Sequence, residues 1–342
     1  MVRRTAKGLW RGIERFIQLL IEAQRQRHEV HLFATGDSQV SPPNTLHVLF
    51  EKAMADEGLD RNAEVAQAMY CATEARKIGT ELVHAYSIDS FLALTPFLGI
   101  PTVFTFCMLP DRSSQELSRL AEPYTRFTFI SQQHRKQFPW LRRGDVVYQG
   151  LDLRMFPFQA RKQPYLAFVG SIADKKGIIE AIEISRRAKL PLRIAARVKA
   201  QDKAFYEETV RPLLAANDHV TFLGEVSDEE RNALLKQAKA LLFPIKWEEP
   251  FGWVMVESLA VGTPVIAFNR GSVPEIIVDG TCGFIVENVA QAIQAVRQLD
   301  SIRPYDCRAR VATTFSIEQT VERFEAIYRE EVAAKPVTAS CG

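Results

Sequence analysis

The sequence lacks several features that would assign it to a common protein class. It has no apolar run of about 18 residues, so no helix is predicted to span a membrane. Its five cysteines are scattered through 342 residues, which excludes paired zinc or disulfide spacings and is typical of a reducing cytoplasm. A net charge of +2 gives no reason to expect nucleic acid as a partner. We therefore expect a cytoplasmic globular protein, for which 47% hydrophobic residues is an ordinary value.

Short apolar strands alternate with amphipathic helices along the chain, which predicts parallel α/β sheets. The predicted strands are 29–34, 46–50, 81–86, 102–106, 126–131, 145–149, 165–170, 192–196, 219–223, 240–244, 264–268 and 283–286. The segment 151–164 has prolines and no clear period, so it predicts a linker between two α/β domains that face a cleft. The predicted parts are an N-terminal domain 1–150, a C-terminal domain 165–315, a final helix 316–332 and a disordered tail 333–342.

No strand is predicted before the first helix, which starts near residue 12. A doubly wound domain normally begins with a strand that becomes central in its sheet. The first strand of the N-terminal domain is therefore expected to be missing. A start codon placed too late or a truncated chain is the favoured explanation, and a real gap in the first sheet is the alternative.

The stretch "KWEEPFG" follows a buried strand and precedes an apolar helix that carries Glu257. Pro250 and Gly252 force a turn, so the helix begins near Trp253, where backbone amides and the helix dipole favour an anion such as phosphate. A carboxylate among apolar neighbours is costly unless it accepts hydrogen bonds, and sugar hydroxyls can donate them. Glu249 and Glu257 are therefore predicted to bind a sugar and a ribose. The alternative is that Glu257 reaches solvent or caps a neighbouring loop.

The segment 241–286 resembles the retaining glycosyltransferases of family 4, which have the GT-B fold of two Rossmann-like domains. The resemblance extends over nearly the whole chain. It implies that Glu249 contacts the donor hexose and that Glu257 binds the ribose. Backbone amides near Phe251, Gly252 and Trp253 would hold the sugar and the diphosphate.

The loop "FVGSIADKKG" (168–177) resembles the phosphate loop of that family. Lys176 matches the family lysine, whereas Ser171 stands where the family has arginine, and Lys175 could replace that charge. Two cations beside a leaving diphosphate would stabilise its developing charge. The alternative, a solvated lysine pair, is poor electrostatics at a helix N-terminus.

Weaker matches lie elsewhere in the chain. Arg197 ends a strand near the expected donor, and backbone groups near Val226 match the family's nucleobase segment; plain strand ends are the alternative for both. In the acceptor half, the family's Gly-Gly pair is Arg11-Gly12 here, and Arg11 could supply the charge lost at Ser171. Cys107 replaces the family histidine and is expected to be a small buried hydrophobe.

The function predicted from this resemblance is transfer of a hexosyl unit from a nucleotide diphosphate sugar to a hydroxyl acceptor, with retention. No nucleophile is well placed, so front-face attack is favoured over a covalent intermediate. Glu249 and Lys176 are the predicted catalytic residues, and no metal or cofactor is expected. The alternatives are a catalytically degenerate sugar-nucleotide-binding protein and a GT-B epimerase. For the basic stretch 132–143, the alternatives are a solvated helix face and weak contact with an anionic membrane.

Overall fold

A computed structural model describes residues 12–38, 45–52, 61–87 and 89–334. The chain divides into two units: unit 1 comprises Met1–Gly150 and Ile317–Gly342, and unit 2 comprises Leu151–Ser316. Within the described ranges, no helix combines the length and the apolar character needed to cross a membrane. Residues 1–11 and 335–342, and with them Arg11 and most of the predicted tail, lie outside the described residues.

Unit 2 contains one parallel sheet of six strands, with helices in the crossovers. The strands are β7 (Leu166–Ser171), β8 (Leu192–Arg197), β9 (Val220–Gly224), β10 (Ala240–Phe243), β11 (Val265–Phe268) and β12 (Gly283–Val286). The helices are α6 (Ile178–Ala188), α7 (Lys203–Phe205), α8 (Arg211–Ala215), α9 (Asp228–Gln237), α10 (Trp253–Ala260), α11 (Val273–Ile276), α12 (Val289–Gln298) and α13 (Pro304–Thr314). The order β12-β11-β10-β7-β8-β9 is that of a doubly wound sheet with its first strand in the centre.

Unit 1 is also built from parallel strands, but the described strands form two sheets. The strands are β1 (His31–Ala34), β2 (Thr45–Val48), β3 (Val83–Tyr86), β4 (Thr102–Phe106), β5 (Arg126–Phe129) and β6 (Asp145–Val146). The helices are α1 (Gly12–Gln24), α2 (Arg61–Lys77), α3 (Thr95–Leu98), α4 (Arg112–Ala121), α5 (Gln132–Lys136) and α14 (Ile317–Ala333). One sheet pairs β1 with β2, and the other has the order β3-β4-β5-β6.

A cavity of about 650 Å³ lies in unit 1 between these two sheets. Residues 31–33 of β1 line one side, and the whole of β3 lines another. Apolar side chains of α1, α2 and α14 complete the wall. In the described part of the chain, the first element is α1, and no strand pairs with both β1 and β3.

All twelve predicted strands are present, with ends that differ by three residues or fewer. Two parts of the predicted organisation differ from the structure. The segment 151–164, predicted as a linker, is counted with unit 2, where the Leu151 amide donates to the Phe315 carbonyl at 2.8 Å. The final helix, α14, belongs to unit 1, because its Thr320 hydroxyl donates to the Tyr148 carbonyl at 2.8 Å and it packs beside α1.

Candidate functional site

The turn between β10 and α10 is fixed by a glycine with a left-handed backbone. Gly252 has φ 79° and is the N-cap residue of α10. A Cβ at this position would lie 2.6 Å from Met255 Cε, the mobile end of a flexible side chain, so it is the left-handed conformation that favours glycine. No side chain caps the start of α10, whose first residue is Trp253. The neighbouring Phe251 is buried and its carbonyl accepts from the Ser272 hydroxyl at 2.6 Å.

Glu249 lies before this turn and is held by donors from two segments. Its Oε2 accepts from Lys176 Nζ in an ion pair and from Trp247 Nε1 at 2.9 Å. Its backbone carbonyl accepts from the Ser272 amide at 3.0 Å. A Cβ on Gly271 would lie 2.3 Å from that carbonyl oxygen, so glycine allows the two backbone segments to approach. The Glu249 carboxylate is therefore placed by contacts rather than solvated on the surface.

The loop that carries Lys176 packs closely against the end of β10. Gly177 has φ 75°, and a Cβ there would lie 1.9 Å from the Pro244 carbonyl oxygen. The ammonium groups of Lys175 and Lys176 lie 4.2 Å and 5.1 Å from the centroid of the Trp247 ring, within the range of cation–π attraction. The structure thus brings together the two predicted lysines and the predicted glutamate, with Trp247 between them.

Further cations lie at the carboxyl ends of β7 and β8. Ser171 and Arg197 end these strands and are register partners. Burial lowers the pKa of the neighbouring Lys199, and Asp202 opposes this shift. The positive charges of Lys176, Lys175 and Arg197 lower the Lys199 pKa further. Four cations therefore interact at one edge of the sheet, which makes that edge attractive to an anion.

Glu257 lies in α10, is 5% exposed and has a charged partner. Arg231 Nη2 of α9 lies 3.1 Å from Glu257 Oε1, and Arg231 Nη1 lies 2.5 Å from Asp228 Oδ1. Burial alone would lower the pKa of Arg231, but Glu257 and Asp228 raise it above its usual value. The half-buried Val226 lies just before α9, whose N-cap Ser227 accepts from the Glu230 amide.

Three residues of the site were not predicted from the sequence. Trp247 lies two residues before the predicted Glu249, and Lys199 lies two residues after the predicted Arg197. Their closeness to these positions could have indicated that they belong to the site. Arg231 had no such signal, because its pairing with Glu257 joins two helices that are 26 residues apart in sequence (257 minus 231).

Two further predicted residues, Gly12 of the donor site and Cys107 of the acceptor side, belong to unit 1. Gly12 is exposed and begins α1. Cys107 is buried directly after β4, and its amide donates to the Ser87 hydroxyl at 2.9 Å. Burial raises the pKa of the Cys107 thiol to about 12, so the thiol is protonated at neutral pH. In the basic stretch, Phe138 is fully buried in the core of unit 1 and is not available to a membrane.

Comparisons with known proteins match the segment that contains the residues of this site. A family model described as glycosyl transferases group 1 matches residues 154–304. Glycogen synthase of Mycobacterium tuberculosis is 31% identical over 188 residues, which are 51% of this chain and 44% of that protein. The chain therefore spans less than half the length of this curated relative.

Solved structures extend the likeness to both units. Sucrose-phosphate synthase of Thermosynechococcus elongatus matches with a TM-score of 0.78 and 18% identity, covering 94% of this chain and 93% of that one. The Anabaena protein HepE, solved in complex with UDP and glucose, matches with a TM-score of 0.73 and 15% identity, covering 94% and 96%. These likenesses confirm the predicted α/β fold of the GT-B type. Through residues 154–304, the chain is similar to the family of group 1 glycosyl transferases.

Proposed function

We propose that this protein is a glycosyltransferase that moves a hexosyl unit from a nucleotide diphosphate sugar to a hydroxyl acceptor. The observation that carries the proposal is the Glu249–Lys176 pair beside three further cations of unit 2. An acidic group suited to sugar hydroxyls thus adjoins a cationic edge suited to a diphosphate. The complex of HepE with UDP and glucose lends support, because that protein shares the fold and its ligands combine these two chemistries.

The cations of the site would bind the diphosphate and stabilise it as the leaving group. Lys175, Lys176 and Arg197 are each close enough to lower the pKa of Lys199, so they repel the Lys199 ammonium until an anion is bound. The N-terminus of α10, which no side chain caps, adds a partial positive charge. Charge that develops on a departing diphosphate would be stabilised most, which is the usual origin of catalysis in such sites.

The carboxylates of Glu249 and Glu257 would bind the hexose and the ribose of the donor. Glu249 is oriented by Lys176 and Trp247, so its oxygens can accept from hexose hydroxyls without a large loss of side-chain entropy. Glu257 would accept from the ribose hydroxyls, and the backbone near Val226 would contact the base. A carboxylate that already accepts from two donors is a weak nucleophile, which supports retention by front-face attack over a covalent intermediate.

The first test measures donor binding and turnover in the same samples. A nucleotide sugar present at 100 times its dissociation constant stabilises a protein by about 2.7 kcal/mol, or about 5 to 10 °C for a unit of this size. We expect such a shift with one member of a panel of UDP-, ADP- and GDP-sugars, and loss of the shift in Lys176→Met. The control Lys239→Met removes a lysine that pairs with Asp300 at 2.8 Å and lies at the opposite end of β10.

The second test separates transfer from its alternatives. We expect NMR of the product to show the anomeric configuration of the donor, and turnover to be unchanged by EDTA. Binding of a donor without turnover on any acceptor would instead indicate a degenerate binding protein. Interconversion of donors without acceptor would indicate an epimerase. No binding of any nucleotide sugar would refute the proposal as a whole.

A further inference from the structure

Unit 2 contains a buried ion pair that the donor site does not require for charge balance. The side chains of Arg231 and Glu257 are 16% and 7% exposed, and Arg231 Nη2 lies 3.1 Å from Glu257 Oε1. The pair joins α9 to α10. Asp228 anchors the other end of the guanidinium at 2.5 Å.

Such a pair is a poor device for stability alone. Removing two charges from water costs several kcal/mol per ion, and attraction within the pair often only balances this cost. The cost is higher here because Arg231 Nε and Nη2 are buried and make no hydrogen bond with the described residues, so the contact of Nη2 with Glu257 is an ion pair alone. A hydrophobic contact between α9 and α10 would join the helices as well. The arrangement is better explained by a task that needs the charge and geometry of the Glu257 carboxylate.

We propose that Arg231 is a positioning residue that orients Glu257 to accept hydrogen bonds from the two ribose hydroxyls of the donor nucleotide. This inference rests on the proposed function. A guanidinium group is always charged, so it attracts the near oxygen of the Glu257 carboxylate and keeps that group ionised. Arg231 acts through Glu257 and is not assigned a contact with the donor.

The position of Arg231 also couples the ribose site to the nucleobase segment. It lies in the first turns of α9, five residues after Val226. The start of that helix is fixed by a capping box, in which Ser227 accepts from the Glu230 amide and Glu230 accepts from the Ser227 amide. One rigid helix start therefore carries the backbone proposed for the base and the side chain that holds the ribose carboxylate.

The experiment compares nucleotides with and without ribose hydroxyls by calorimetry. The probes are UDP, ADP and GDP and their 2′,3′-dideoxy counterparts. We expect the wild-type protein to bind one ribonucleotide about tenfold or more tightly than its dideoxy form, because hydrogen bonds to a charged group are lost in the latter. In Arg231→Met, affinity for the ribonucleotide should fall about tenfold while affinity for the dideoxy form stays within about twofold.

Further variants distinguish positioning from a structural role. Glu257→Gln should reduce the ribose preference in the same way, and Arg231→Met combined with Glu257→Gln should add little to either change. Arg231→Lys keeps the charge without the planar fork, so it should restore part of the preference even if Arg231→Met folds poorly. Arg187→Met is the matched control, since Arg187 pairs with Glu183 on the exposed face of α6 at 3.1 Å.

The outcomes separate this inference from the proposed function. A wild-type protein that binds none of the nucleotides would refute the proposed function and this inference together. Binding with equal loss of affinity for both forms in Arg231→Met and Arg231→Lys would leave the function standing and give Arg231 a purely structural role. An unchanged ribose preference in both variants would also overturn the inference alone.

Discussion

Both units are built from parallel strands, but unit 2 has one continuous sheet whereas the described strands of unit 1 form two sheets. In unit 2, the first strand β7 is paired on both sides, with β10 and with β8. In unit 1, no described strand takes the place that β7 has in unit 2. The strands β1 and β3, which end the two sheets, line the cavity instead. The residues proposed to bind the donor are, apart from Gly12, in the unit with the continuous sheet.

This difference affects how precisely each unit can place side chains. One core cluster of unit 2 includes residues of β7, β8, β10, β11 and β12, among them the fully buried Leu166, Ile194 and Ala240. Among the described residues, unit 1 has smaller clusters around Phe104 and around Ala75. A site that needs carboxylates and lysines within a few tenths of an ångström is better supported by a continuous, close-packed core.

The largest expected effect comes from equal truncations in the two units. Leu166→Ala removes a fully buried leucine from the core of unit 2 and should lower the free energy of unfolding by about 4 to 5 kcal/mol. Leu20→Ala removes a buried leucine that lines the cavity of unit 1, where fewer contacts are lost, so the cost should be about 2 to 3 kcal/mol. Urea unfolding followed by hydrogen exchange would assign each loss to its unit. Equal costs would mean that Leu20 is as well packed as Leu166 and would remove the contrast.

The next effect tests the close approach of the lysine loop to β10. Gly177→Ala should cost about 3 to 4 kcal/mol, because the left-handed backbone costs about 1 to 2 kcal/mol and a Cβ would collide with the Pro244 carbonyl. The matched control is Gly280→Ala, which has φ 71° and no atom within 4 Å of the added Cβ, so only the backbone cost of about 1 to 2 kcal/mol applies. Both are measured by urea unfolding. Similar losses in the two variants would show that the loop moves away easily.

The fold was predictable because its signals are local. Apolar runs such as "ALLF" and "VIAF" are buried on both faces of parallel strands, and helices with one apolar face separate them. The short turn motif was also predictable, because Pro250, Gly252 and Glu249 are close in sequence. Strand ends were less certain; β6, for example, is two residues long where five were predicted, since pairing with β5 decides its length.

What could not be predicted depends on pairings between distant segments. Nothing in the local sequence indicates that Arg231 meets Glu257, or that Lys176 meets Glu249, 73 residues later. The placement of α14 with unit 1 has the same cause, since the Thr320 hydroxyl donates to the Tyr148 carbonyl and accepts from the Gly150 amide. The apolar face of an amphipathic helix predicts that the helix packs against another element, but the sequence does not identify that element.

A third prediction uses pH to separate the units. His84 of β3 makes two hydrogen bonds, whose donors depend on the tautomer. One joins Nε2 to Thr105 Oγ1 at 2.7 Å, and the other joins Nδ1 to Tyr328 OH at 2.6 Å. Burial lowers the pKa of His84 to about 3, against about 6.5 in the unfolded chain. The unfolded state thus binds the proton more readily, so the stability that His84 contributes at neutral pH is lost as the pH falls from about 6.5 towards 3.

The size of this loss follows from the pH chosen. At pH 4.5, His84 should cost unit 1 about 1 to 2 kcal/mol relative to pH 7, after allowance for water in the adjacent cavity. Comparing wild type with His84→Phe at each pH cancels the titration of other groups, such as Asp89, whose pKa burial raises to about 6. The difference in unfolding free energy should shrink towards low pH. A constant difference would contradict the assigned burial.

The smallest expected effect tests whether Glu249, in the unit with the continuous sheet, binds the sugar of the donor and not its diphosphate. Glu249→Gln keeps an oxygen that can accept from Lys176 and Trp247 but removes the negative charge that strengthens hydrogen bonds from sugar hydroxyls. Affinity for the nucleotide sugar should fall about tenfold, or about 1.4 kcal/mol, while affinity for the nucleoside diphosphate stays within about twofold. Calorimetry with both ligands measures this ratio, and Glu183→Gln on the exposed face of α6 is the control. If both affinities fell together, Glu249 would act on the cationic edge through Lys176, and the sugar would have to be recognised by other groups.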